Sequence, residues 1–129
     1  MRMRYRILFI SGRPADARHL SQMLHSLPLD VDRAENLEHA CKLLDTTVYQ
    51  VILTEANLSD GSWLDVLEAA GGFTYKLPVI VTDPQADARL WGEVLNQGGY
   101  DLLTQPFYAP EVRRILGNAV SRGFAMAAV

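Results

Sequence analysis

Cysteine is all but missing from this sequence. Cys41 stands alone among 129 residues, so neither an internal disulfide nor a cysteine-based zinc cluster can form. The three histidines, His19, His25 and His39, have no metal-ligand spacing. His39 and Cys41, two residues apart on a helix, point in different directions. Positive charge is not in excess: 12 Lys and Arg face 15 Asp and Glu, for a net charge of -3. That balance argues against a surface for direct nucleic-acid contact or for an anionic membrane. No stretch approaches the ~20 apolar residues of a membrane helix. The run Ile7 to Ile10, behind the basic start Met1-Arg2-Met3-Arg4-Tyr5-Arg6, is too short for a signal peptide. No Ser-His-Asp set, P-loop or zinc motif is visible, so an enzyme is not expected.

What is present is ordinary globular material, 49% hydrophobic and 21% charged. The length fits one domain over 1–129, with a core at about 4–122 and a tail or linker at 123–129. A cytoplasmic location is expected. The central stretch is Tyr49 to Trp63, YQVILTEANLSDGSW. Tyr49 to Thr54, with the apolar run Val51, Ile52, Leu53 and Thr54, reads as a strand buried on both faces, followed by a polar loop. Ligands of open parallel sheets sit just past the carboxyl ends of such strands. Glu55 is the first polar residue there.

Further strands are expected at Arg6–Ile10, Leu29–Ala34, Leu77–Thr82 and Tyr100–Leu103. Pro14 opens a first helix with the stripe Ala17, Leu20, Met23, Leu24 and Leu27, ended by Pro28. Asn36 caps a second helix bearing Leu37, Ala40, Leu43 and Leu44. Ser62 caps a third over Trp63–Ala70, stopped by Gly71-Gly72. A fourth runs from Ala86 to Gln97, and a fifth from Pro110-Glu111 to about Arg122. Five strands alternating with five helices predict an α/β fold with a parallel sheet covered on both faces.

Three segments resemble the receiver domain of two-component response regulators, CheY-like in type. They are Glu55-Ala56-Asn57-Leu58-Ser59-Asp60-Gly61, Leu77-Pro78-Val79-Ile80-Val81-Thr82, and Asn96-Gln97-Gly98-Gly99-Tyr100-Asp101 with Gln105-Pro106-Phe107. They look like the family's D-x-x-L-P-D-G loop, fourth strand, and Q-x-G-A-x-D and K-P-F segments. The resemblance implies a flavodoxin-like sheet of order 2-1-3-4-5. It also implies a role in phosphorelay signal transduction. In the family an aspartate after strand three accepts a phosphoryl group. Mg2+ on that aspartate and on an acidic pair neutralises the phosphate oxygens, aided by a lysine and a Thr or Ser.

This sequence departs at nearly all of those positions. Glu55 replaces the phosphoacceptor, Ser11 and Gly12 the acidic pair, and Gln105 the lysine. Thr82 comes one residue early, leaving Asp83 at the Thr/Ser position, and Leu102 replaces the aromatic switch. No cofactor is expected, and Mg2+ binding is expected to be lost, because that ion normally wants one or two carboxylates. Glu55 then reads either as a fixed signal, partly imitating a phosphorylated aspartate, or as a solvated remnant of a decayed site.

The resemblance places Trp91, with Leu95, on the helix four–strand five–helix five face that the family uses for partners. Both are interface candidates, against core packing as the other reading of Trp91. The partners implied are a sensor kinase, an output domain or a dimer mate. Trp63 reads as a cover for the pocket mouth or as packing, and Asp60 as a turn residue before Gly61. Two alternatives remain: a working phosphoacceptor with unusual chemistry, and a flavodoxin-like small-ligand binder using the turn at Ser11.

Overall fold

The computed structural model describes residues 4–71 and 77–127. Five strands form one parallel sheet: β1 (Tyr5–Ile10), β2 (Leu29–Ala34), β3 (Val51–Glu55), β4 (Val79–Asp83) and β5 (Asp101–Thr104). Their order across the sheet is 2-1-3-4-5, as expected. Between them run α1 (Pro14–Leu24), α2 (Leu37–Thr46), α3 (Trp63–Ala70) and α4 (Ala88–Asn96), with α5 (Ala109–Ala127) following β5. A two-residue antiparallel ladder, Asn57–Leu58 against Gly61–Ser62, folds the loop after β3 back on itself.

Strand alternation sorts the core into layers. Ile7 and Phe9 of β1, Val51 and Leu53 of β3 and Ile80 of β4 pack against Leu20 and Leu24 of α1 and Val112 and Leu116 of α5. Leu8, Ile10, Ile52 and Val79 face the other way, onto Ala40 and Leu44 of α2 and Val66 of α3. Val81 and Leu102 meet Trp63 and Val94 in a smaller cluster under α4. Burial on both faces explains why these strands read as unbroken apolar runs. Each such side chain removed from water contributes about 1.5–3 kcal/mol.

The element ends differ from expectation for identifiable reasons. Helix α1 stops at Leu24, short of Pro28. A turn intervenes, in which the Leu27 amide bonds the Leu24 carbonyl at 2.9 Å, and the residue before a proline is pushed out of the helical region. Leu27 still packs on the core from that turn. Helix α4 begins at Ala88 and not at Ala86, because the Asp87 carboxylate accepts from the Leu90 amide at 2.8 Å and fixes the cap there. Strand β4 starts at Val79 and not at Leu77, and β5 is shifted by one residue to Asp101–Thr104. Strand β3 spans Val51–Glu55 and not Tyr49–Thr54: Tyr49 precedes it, its hydroxyl donating to Asp32, and Glu55 is its last residue, paired in register with Thr82, and not the first residue of a loop.

Helix α5 continues through Ala127, beyond the end expected near Arg122. No proline follows Pro110 to stop it, and Gly123 weakens a helix without breaking it. The Asn36, Ser62 and Pro14 start signals were legible as such: Asn36 accepts from the His39 amide, and Ser62 forms a capping box with Asp65. Of the three arginines of the basic start, which read as a solvated leader, Arg2 lies outside the described residues, as does Gly72 of the expected α3 stop; Arg4 and Arg6 instead pair with Asp30 and Asp32, and Arg6 belongs to β1.

Candidate functional site

The parallel strands deliver their carboxyl ends to one edge of the sheet. There Gly12, Arg13, Glu55, Ala56, Asn57, Thr82, Asp83, Pro84 and Gln105 line an open cleft of about 370 Å³. Glu55, Gly12, Thr82, Asp83 and Gln105, singled out in the sequence, thus meet in one place. Ser11 and Leu102 do not line it. Ser11 is fully buried beneath the turn, and Leu102 is buried in the cluster under α4.

Several polar groups in and beneath the cleft have traceable partners, and one buried group has none. Glu55 Oε1 accepts from the Gly12 backbone amide at 2.8 Å, so the carboxylate ties the end of β3 to the β1–α1 turn. The Ser11 hydroxyl accepts from the Arg13 amide at 3.1 Å and donates to the Arg13 carbonyl at 3.4 Å, while the Ser11 carbonyl accepts from Arg33 Nε at 3.0 Å. The Gln105 amide donates to Asp16 Oδ2 of α1 at 3.3 Å. The Gln105–Pro106 peptide is cis. The exception is Thr82, whose buried hydroxyl has no hydrogen-bond partner.

Mg2+ binds through oxygen atoms in near-octahedral geometry. The Ser11 hydroxyl is spent on its own turn, Gly12 brings no side chain, and one Glu55 oxygen is spent on the Gly12 amide. Among the described residues, Glu55 and Asp83 are the only carboxylates lining the cleft, and Arg13 lines it with them. The positions of the acidic pair, Ser11 and Gly12, offer the ion no carboxylate. Among the described residues, no group of three His, Cys, Asp or Glu is placed to hold a metal.

Asp60 has a larger role than a turn residue. Its carboxylate accepts from the Leu37 amide at 2.8 Å and the Glu38 amide at 3.0 Å, at the start of α2. Those two bonds hold its pKa below the usual carboxylate value. A helix N-terminus has free N–H groups and a positive dipole, both suited to a carboxylate. The contact spans 22 and 23 residues, so no local sequence signal could announce it. Space beside it favours Gly61: a Cβ there would lie 2.7 Å from Asp65 Oδ2 and 2.9 Å from Leu37 Cδ2, and those side-chain ends would have to shift.

Trp63 is packing and not a cover for the cleft: it is 7% exposed and lies among Ala56, Val81, Val94 and Leu102. Helix α4 has a buried and an exposed face. Val94 is fully buried, whereas Trp91 is 49% and Leu95 38% exposed. Trp91 is held in place by its indole N–H, which donates to Asp101 Oδ1 of β5 at 3.2 Å. The chain's turn from α4 into β5 passes through Gly98, at φ 95°. Gly99 follows, where a Cβ would lie 2.5 Å from Val94 Cγ1.

Comparison with known proteins agrees with this architecture. No family model matches the chain. It is 27% identical over 118 residues to the response regulator protein PilR of Pseudomonas aeruginosa, a match covering 91% of this chain and 26% of that protein. The signal receiver domain of a putative LuxO repressor protein from Vibrio parahaemolyticus superposes with a TM-score of 0.86 at 21% identity, over 95% of each chain. The beryllofluoride-activated NtrC4 receiver domain dimer gives 0.82 at 19% identity, over 92% of this chain and 98% of that one. The chain has the CheY-like receiver fold, and its sequence is similar to that of a response regulator. It spans about a quarter of the length of the curated relative. Among the described residues, no helix is long and apolar enough to cross a membrane.

Proposed function

We propose that this receiver domain signals without accepting a phosphoryl group, and that it acts through protein–protein contact as a single cytoplasmic domain. The observation that carries the reading is the 2.8 Å bond between Glu55 and the Gly12 amide. At the place where the family's aspartate would be charged by phosphorylation, a longer carboxylate already reaches the β1–α1 turn. Phosphoryl transfer depends on positioning and on neutralising the transferred group's charge. Neither Ser11, Gly12 nor Gln105 supplies that neutralisation, and no Mg2+ or other cofactor is needed by the reading. Glu55 is a permanent strut that holds one arrangement of the cleft.

The partner surface is the face of α4, β5 and α5. Trp91 is half exposed yet pinned by Asp101, so little side-chain freedom is lost when a partner covers it. Large pinned aromatics of this kind anchor interfaces. The partner is a sensor kinase, an output domain or a second receiver. The NtrC4 receiver, a structural relative, is a dimer. Direct nucleic-acid or membrane contact forms no part of the reading.

One observation favours the working phosphoacceptor as a second reading: the unpartnered Thr82 hydroxyl in the same cleft. Acetyl phosphate, or beryllofluoride with Mg2+, decides between them. The wild-type chain is expected to show no shift in the amide signals of Gly12, Glu55 and Thr82. The variant Glu55→Asp, Ser11→Asp, Gly12→Asp, Gln105→Lys is expected to respond, and the Gly12 change meets no atom within 4 Å of the new Cβ. A wild-type response at Glu55 refutes the proposal.

A further inference from the structure

We infer that Arg13 is the resident counter-charge of the Glu55 cleft, the group that opposes entry of a divalent metal ion. The inference rests on the reading above and deepens it by naming a residue that sets the cleft's ion preference.

Arg13 lines the cleft together with Glu55 and Asp83. Its backbone is fixed at both ends: the amide donates to the Ser11 hydroxyl at 3.1 Å, and the carbonyl accepts from the Asp16 amide at 3.1 Å. The side chain grown from this fixed root is exposed, and among the described residues its guanidinium makes no hydrogen bond or ion pair. Several other arginines are engaged. Arg33 is on the Ser11 carbonyl, Arg4 and Arg6 are on Asp30 and Asp32, and Arg89 is on Glu93. Gln105 brings no charge, and its amide is turned to Asp16.

The cleft therefore holds two carboxylates and one uncommitted guanidinium. Its net charge is one negative unit where the carboxylates alone would give two. A guanidinium stays protonated at every physiological pH, so this opposition does not titrate away. Arg13 also lines the adjoining cleft of Asp16, His19, Met23 and Phe107, so the residue borders both. From there it can lean over Glu55 without moving the backbone.

Mn2+ serves as the probe, read by paramagnetic broadening of the Gly12, Glu55 and Asp83 amide signals in the full chain. Removing one unit charge at the rim of a solvated site is expected to tighten Mn2+ binding about tenfold in Arg13→Gln, less at high salt. Arg13→Lys keeps the charge and is expected to behave as the wild type. Equal affinity in wild type and Arg13→Gln overturns the inference, as does a gain in Arg13→Lys matching that in Arg13→Gln. Broadening of the wild-type cleft at trace Mn2+ overturns the phosphorylation-independent reading and this inference with it. The two failures thus leave different patterns.

Discussion

Replacing Glu55 by its two nearest relatives separates reach from charge. Glu55→Gln keeps the length and an acceptor oxygen but removes the negative charge. Glu55→Asp keeps the charge but is shorter by one carbon–carbon bond of roughly 1.5 Å. On an unmoved backbone the 2.8 Å bond to the Gly12 amide would open to as much as about 4.3 Å, beyond hydrogen-bond range. A bond to a charged acceptor contributes more than a neutral one, yet Gly12 is exposed and Glu55 half-buried, so water competes. The expected loss in Glu55→Asp is about 1 kcal/mol. For a domain of this size that is a fall of ~3–5 °C in Tm. Thermal unfolding measures it, and the exchange rate of the Gly12 amide locates it. Glu55→Gln is expected to keep most of the stability and the protection at Gly12. Should the aspartate variant melt with the wild type and keep a protected Gly12 amide, the strut is not what holds the turn.

Two further outcomes concern pH. The Asp60 pKa is depressed by the α2 amides, so its contribution is complete above the ordinary value of 3.8 and is lost as pH falls through the lower folded value. Asp60→Ala is expected to lower Tm at neutral pH and to flatten the acid limb of the Tm profile; an unchanged limb contradicts the clamp. Tyr49 is pushed up to about 12, first by burial and then by its hydrogen bond to Asp32 at 2.7 Å. A raised folded pKa makes its contribution complete below the ordinary value of 10.0, to be lost as pH rises from there to about 12. Tyr49→Phe is expected to remove that alkaline slope from the unfolding free energy measured in urea.

The fold was legible because its strands are unbroken apolar runs and its helices carry local start signals. Pro14, Asn36 and Ser62 each act within three residues of themselves, and all three mark true helix starts. The site was legible only as a set of positions. Glu55, Thr82, Asp83 and Gln105 could be placed at strand ends by pattern, and they do share a cleft. What they bond could not be read, since those partners come from distant segments. Glu55 finds an amide 43 residues away, and Gln105 finds Asp16 across 89. Asp60 was the clearest miss: its residue type and its glycine neighbour fit a turn, and that local fit hid its bonds to α2.

That miss matters for mechanics. The segment from Asn57 to Ser62 is laced to itself by its short ladder, to α3 by the Ser62–Asp65 exchange, and to α2 by Asp60. A pull on this lip of the molecule is therefore shared by two helices at once. Any rearrangement begun at Glu55 must either drag the front of α2 along or break both amide bonds to Asp60 first.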